Sequence, residues 1–268
     1  MTIDIHTHAF HPKIADKVLA QLHDHYGIAP VGTGKIDDLI ARADTAGIDR
    51  VVVHSAATDP AQVIPANNWA IHLNQNESRT IAFGTMHPDF DDFEKEFNRL
   101  ESHGVPGLKF HADFQGFRLD DPRLWPLFET IGSRFVLMFH VGDVLPPDEN
   151  PSSPQKVMAI AHDFPDLCII AAHFGGYRQW SWALEHLIGS DVYIDTSSSL
   201  SFVDDETLKA IFDKHPRERI LFGSDYPLFD PGDEMKLLQQ RMLLSDADLD
   251  QLLNNAEHLF AKAESVAA

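Results

Sequence analysis

The sequence predicts a closed (β/α)8 TIM barrel, formed as one α/β domain over residues 1–268. Three observations predict it. Short apolar runs rich in β-formers alternate along the chain with stretches of helical period. The length suits one large domain, and no linker, repeat or low-complexity tract divides it. The apolar runs also finish repeatedly on histidine, lysine or aspartate, as strands do where the loops of a barrel gather. A doubly wound open sheet alternates in the same way, so periodicity alone does not close the barrel.

In chain order the strand candidates are Thr2–His6, Arg50–His54, Thr80–Thr85, Gly107–His111, Phe135–His140, Leu167–His173, Val192–Asp195 and Arg219–Gly223. Amphipathic stripes mark helices between them: Ile36, Leu39, Ile40 and Ala43, then Phe93, Phe97 and Leu100. Leu124, Leu127, Phe128 and Ile131 form a third, and Leu208, Ile211 and Phe212 a fourth. An extra C-terminal helix opens on the capping box Ser245–Asp248 and carries Leu249, Leu252, Leu253, Ala256, Leu259 and Phe260 on one face. The segment Pro146–Pro154, rich in proline and acid, predicts a loop over one barrel end, where a lid is one option.

Composition narrows the function. The chain has 21 Lys plus Arg against 41 Asp plus Glu, a formal charge of −20. That surplus repels phosphate backbones and anionic lipid, which excludes nucleic acid and membrane as expected partners. A small-molecule substrate is expected instead, and a homodimer is compatible with the sequence. Cys168 is the one cysteine and sits in an apolar run, so no internal disulfide forms. With no signal-like N-terminus and no membrane-length apolar run, a cytoplasmic location is expected.

The 16 histidines carry the chemistry. The first strand ends in Asp4-Ile5-His6-Thr7-His8. Residues two apart on a strand project to one side, so His6 and His8 can share an ion. His140 and His173 close strongly apolar strands, Lys109 and His111 close the fourth, and Asp225 follows the eighth. A single buried histidine is more often a satisfied core residue. Repetition at the same end of successive strands reads as a site.

This order, His-x-His on strand one, His on five, His on six and Asp on eight, resembles the metal site of the amidohydrolase superfamily. The branch it is most similar to contains aminocarboxymuconate-semialdehyde decarboxylase and related metal-dependent hydrolases. Gly107-Leu108-Lys109, His173-Phe174-Gly175-Gly176, Asn255-Ala256 and Leu259-Phe260 match the branch as well. The resemblance implies an amidohydrolase-type barrel with one divalent ion held by His6, His8, His140 and Asp225. Zinc is the expected ion, and manganese or iron suit the same donors. It also implies His173 as the catalytic imidazole and a second, proton-moving role for Asp225. A carbamate on Lys109 belongs to binuclear relatives and is not expected here.

Lys109, His111, Arg118 and Tyr177 are the expected substrate contacts. Hydrolysis of a small organic acid, lactone, ester or amide by metal-activated water is the first expectation. Non-oxidative decarboxylation of an aromatic or unsaturated acid is the alternative. It stands second because no arginine after the first two strands is placed to grip a carboxylate. Two rivals differ in class. A barrel with a purely structural metal would not need His173 and Asp225 beside it. A nuclease would want a glutamate closing a middle strand, and none does.

Overall fold

The strand segments are β1 (Ile3–Thr7), β2 (Arg50–Val53), β3 (Thr80–Ala82), β4 (Gly84–Thr85), β5 (Gly107–Phe110), β6 (Val136–Phe139), β7 (Cys168–Ala171), β8 (Tyr193–Asp195) and β9 (Ile220–Leu221). The computed structural model describes residues 1–260, so the end of the predicted domain, 261–268, lies outside the described residues. Every pairing is parallel, in the orders β1-β2-β3 and β4-β5-β6-β7-β8-β9. The predicted third strand is thus two segments broken at Phe83. The ladder continues across the break, since Phe83 N donates to Val53 O at 2.9 Å. The circle closes where Ile5 N donates to Phe222 O (2.8 Å) and Asp225 N to His6 O (2.8 Å). A parallel bridge joins Thr7 to Tyr226 at the same seam.

Helices follow the strands. They are α1 (Ala15–Tyr26), α2 (Ile36–Ala46), α3 (Val63–Asn76), α4 (Phe93–Ser102), α5 (Ala112–Gln115), α6 (Trp125–Ile131), α7 (Pro154–Asp163), α8 (Trp180–His186), α9 (Asp205–Lys214), α10 (Pro231–Met242) and α11 (Asp246–Asn254). The predicted stripes face inward: Leu39 and Ala43 of α2, Phe97 and Leu100 of α4, and Leu208, Ile211 and Phe212 of α9 are buried. Ser245 and Asp248 make the predicted capping box of α11, satisfying two otherwise orphaned N–H groups.

Strand alternation divides the core in two. Val51, Val53, Leu108, Phe110, Leu137 and Phe139 point outward onto the helices. Ile3, Ile5, Val52, Val136, Met138 and Ile170 fill the barrel interior, together with Ala256 and Phe260 of the C-terminal segment. Gly107 makes room there, because a Cβ would lie 2.4 Å from the Phe83 ring.

On β1 the alternation is interrupted. Asp4 pairs with Val51 and Thr7 with Val53, so β1 carries one residue more than β2 between those points. Such a bulge re-aims the side chains beyond it. Ile3 and Ile5 therefore belong to the interior core, yet His6 also stands inside, beside Lys109 and Asp195. The bulge thus converts an apolar barrel floor into a polar upper end.

Behind this seam Glu234, in the first turn of α10, is buried and its Oε2 has no hydrogen-bond partner among the described residues. Burial first, then the charges of Asp225 and Asp4, push its carboxyl up to about 8. A folded-state value above the unfolded value means the folded protein holds this proton more tightly. Stability is therefore full at acid pH, falls as pH rises from about 4.3, and levels off above about 8. Glu234→Gln is expected to flatten this decline; thermal melts at pH 5 and pH 8 check it, and an unchanged slope would refute the assignment.

Candidate metal centre

His6, His8 and Asp225 come together at the β1–β9 seam, with one ligand atom of each within 4.8 Å of the others. Their hydrogen bonds fix which atoms face inward. His6 Nδ1 lies 2.9 Å from Asp195 Oδ2, so it carries the hydrogen and donates to that carboxylate. His8 Nδ1 lies 3.0 Å from the His54 carbonyl and must also donate. Both Nε2 atoms are therefore lone pairs. His8 Nε2 is 3.2 Å and His6 Nε2 3.7 Å from Asp225 Oδ1. Three acceptors converge with no hydrogen of their own to share; the Lys109 ammonium meets one of them, His6 Nε2, at 3.1 Å, and a metal ion would meet all three.

Ionisation agrees. Burial and the Lys109 charge lower His6 to about 4, leaving it neutral near pH 7. Burial works to raise the Asp225 carboxyl, but His6, His8 and His173 outweigh it and hold it well below the usual carboxylate range. Asp225 remains an anion. Its Oδ2 accepts from the Ser198 hydroxyl.

Asp195 organises the floor. Fully buried at the end of β8, it accepts from His6 through Oδ2. Its Oδ1 takes the amides of His173 and Ser197, both at 3.0 Å, and the Ser197 hydroxyl. Burial opposes its charge, and these partners overcome it, so its carboxyl is depressed. Carboxylates that orient a ligating imidazole in this way set its tautomer and basicity. His173, Ser198 and Asp225 all have positive φ, 62°, 48° and 63°. For residues with a Cβ this left-handed backbone costs about 1–3 kcal/mol each, strain characteristic of functional sites.

The remaining predicted residues divide. Lys109 is 1% exposed, with Nζ 3.1 Å from His6 Nε2. Burial lowers its ammonium to about 8, so it is mostly charged at neutral pH. His111 and Tyr177 line the cavity above the centre. Arg118 does not. Its side chain is held by Asp120 at 2.9 Å and by the carbonyls of Asp148 and Glu149, which corrects the expected substrate contact. The Pro146–Pro154 loop is likewise absent from the cavity wall. Lys156 Nζ donates to Pro147 O and Ser152 Oγ to Asp113, so the segment is a fastened loop.

His140 stands outside the convergent trio. Its Nδ1 is 2.9 Å from His173 Nε2, and its Nε2 is 3.0 Å from the Gly142 carbonyl. His173 Nδ1 in turn is 3.0 Å from the Ser197 carbonyl. Each outer nitrogen faces a carbonyl and donates to it. The two inner nitrogens then face each other as lone pairs, and a proton or another cation between them resolves the contact. Burial lowers the His173 imidazole below its ordinary range, and the charges of Asp225 and Asp195 offset this only in part, so the ring is held neutral.

Sequence reasoning leaves Asp195, Ser197, Ser198 and Tyr26 unassigned. The polar run Asp195-Thr196-Ser197-Ser198-Ser199, closing an apolar strand and wholly buried, is the signal for the first three. His11, His25 and His72 line the same cavity.

The fold has known counterparts. Residues 3–262 match the sequence profile of a family described as Amidohydrolase. No curated protein gives a significant match. Among solved structures, 5-carboxyvanillate decarboxylase of Sphingomonas paucimobilis aligns with a TM-score of 0.71 at 15% identity, covering 97% of this chain and 98% of that one. A dihydroxybenzoic acid decarboxylase of Polaromonas sp. JS666, with bound manganese and 2-nitroresorcinol, gives 0.70 at 17%, covering 97% and 96%. A probable 2-pyrone-4,6-dicarboxylic acid hydrolase of Acinetobacter baumannii, with citric acid bound, gives 0.68 at 15%, covering 97% and 98%. At these identities the likeness establishes the barrel fold. The profile match, spanning nearly the whole chain, establishes the lineage: the chain belongs to the amidohydrolase family.

Proposed function

We propose that this chain is a metal-dependent decarboxylase of an aromatic or unsaturated carboxylic acid. The observation that carries the reading is Lys109, a buried ammonium 3.1 Å from His6 Nε2 at the floor of a cavity walled by Tyr26, Phe114 and Tyr177. It supplies the charge for a substrate carboxylate that no arginine among the described lining residues supplies, and the aromatic walls suit a flat ring. This reverses the order in which sequence alone ranks hydrolysis and decarboxylation. Decarboxylase names among the structural relatives support the reversal.

The ion is held by His6, His8 and Asp225, with His140, which reaches the trio through His173, as the proposed fourth donor. Zinc suits these donors, and manganese, present in the Polaromonas enzyme, suits them as well. Bound there, the ion supplies Lewis acidity that orients and polarises the acid. Lys109 pairs the carboxylate, and the aromatic walls keep water off the ring. When carbon dioxide leaves, the carbon–carbon electron pair stays on the ring carbon. A proton taken up from solvent at the His173 Nε2 lone pair is passed on to form the new C–H bond, and Asp225 is the adjacent base. Hydrolysis of a cyclic acid is the second reading, favoured by the relative named as a hydrolase.

Incubation of hydroxybenzoates and unsaturated acids in deuterated water separates the two. Decarboxylation places deuterium on the carbon that loses carbon dioxide. Solvent oxygen in the product, without carbon dioxide, would overturn the proposal in favour of hydrolysis.

A further inference from the structure

The cavity is larger than a single aromatic acid at its floor requires. Its volume is about 1280 Å³, above the roughly 300–1,000 Å³ of ordinary small-molecule pockets. Two helices wall its outer part. Ile14, Val18, Leu22 and His25 line one side, spaced as a single face of α1 and its N-cap. Ala66 and Trp69 of α3 line the other. At a helical rise of 1.5 Å per residue, Ile14 to His25 spans roughly 16 Å. One end of this trough is fixed at the centre, where Tyr26 Oη lies 3.3 Å from His111 Nε2.

An amphipathic helix ordinarily turns its apolar face to the core. In α1 only Ala15 is buried. Ile14 is 48% exposed, and Val18 and Leu22 are half-buried on the trough wall. Apolar side chains facing an open trough continuous with a reactive floor are complementary to an apolar ligand surface. At the outer rim stand Lys13 and Lys17, four residues apart, exposed, and without an ion pair among the described residues. In a chain of charge −20, the two lysines make this end of the mouth locally cationic, the exposed Asp24 that also lines the cavity lying roughly 10 Å further along α1.

We infer, resting on the acid decarboxylase reading, that the substrate is elongated. Its ring and carboxylate occupy the floor, an apolar chain lies between α1 and α3, and a second anionic group ends beside Lys13 and Lys17. This excludes a bare hydroxybenzoate as the best substrate.

The test is calorimetric titration of the metal-loaded full chain with 4-n-alkylbenzoates from methyl to octyl, and with the same chains ending in a carboxylate. Affinity is expected to rise roughly two- to fourfold per added methylene, as burial of each methylene in an apolar trough gives. The terminal carboxylate should add a further gain that Lys13→Ala with Lys17→Ala removes. Val18→Asp should cut the octyl-to-methyl affinity ratio by about tenfold or more, with circular dichroism and metal content confirming an intact fold. Benzoate binding with no dependence on chain length overturns the inference and leaves the decarboxylase reading standing. Length-dependent binding with no decarboxylation of any homologue supports the trough and tells against that reading. No binding of any member overturns both.

Discussion

His173→Asn is expected to keep its metal and lose about two to four orders of magnitude in kcat, the usual consequence of removing a general acid–base group. The argument is positional. The His173 ring sits beside the convergent trio, 5.1 Å from the His6 ring, and forms a separate cluster with His6 and Asp195. Its backbone is locked by the amide bond to Asp195 and its ring by Ser197 and His140. Asparagine can keep a hydrogen bond to Ser197 but cannot hold or move a proton near neutral pH. Steady-state kinetics with elemental analysis of the same sample decides the matter. Loss of the ion from the variant would make His173 a ligand and remove its assigned role.

Asp195→Asn should weaken metal binding by about 10- to 100-fold, although Asp195 is not itself a ligand of the trio. Its Oδ1 takes three donors, so the amide oxygen of an asparagine is drawn to that side. The amide nitrogen then faces His6 Nδ1, donor against donor. Relief comes by moving the His6 hydrogen to Nε2, the atom that should face the ion. Competition against a chelating indicator measures the effect. Unchanged affinity would show that Asp195 does not set the His6 tautomer.

These two residues differ in how far sequence exposes them. His173 is legible because an apolar strand ending in histidine, followed by Phe-Gly-Gly, is a local pattern. Asp195 ends a strand in the same way, but its meaning lies in a partner 189 positions away. Most of the barrel was similarly local. Strand runs and helix stripes follow from hydrophobic periodicity, and the capping box of α11 is visible in four residues. The β1 bulge was not, because it depends on register against β2. His6 and His8 could be placed on one side, but not on the same interior side as Ile5. Arg118 misled because its partner Asp120 is only two residues away and its remaining bonds are to loop carbonyls. The role of α1 was hidden for a further reason. An apolar face reads as core-facing in any sequence, and only the structure reveals that this one borders open space.

Elemental analysis of the purified full chain tests the central claim most directly. One divalent ion per chain is expected, removable by chelation with loss of activity and restored by zinc or manganese. Its tight binding should vanish in His6→Ala with His8→Ala. Two tightly bound ions per chain with a carbamate on Lys109, or full activity after complete removal of metal, would contradict a single-ion centre built on His6, His8 and Asp225.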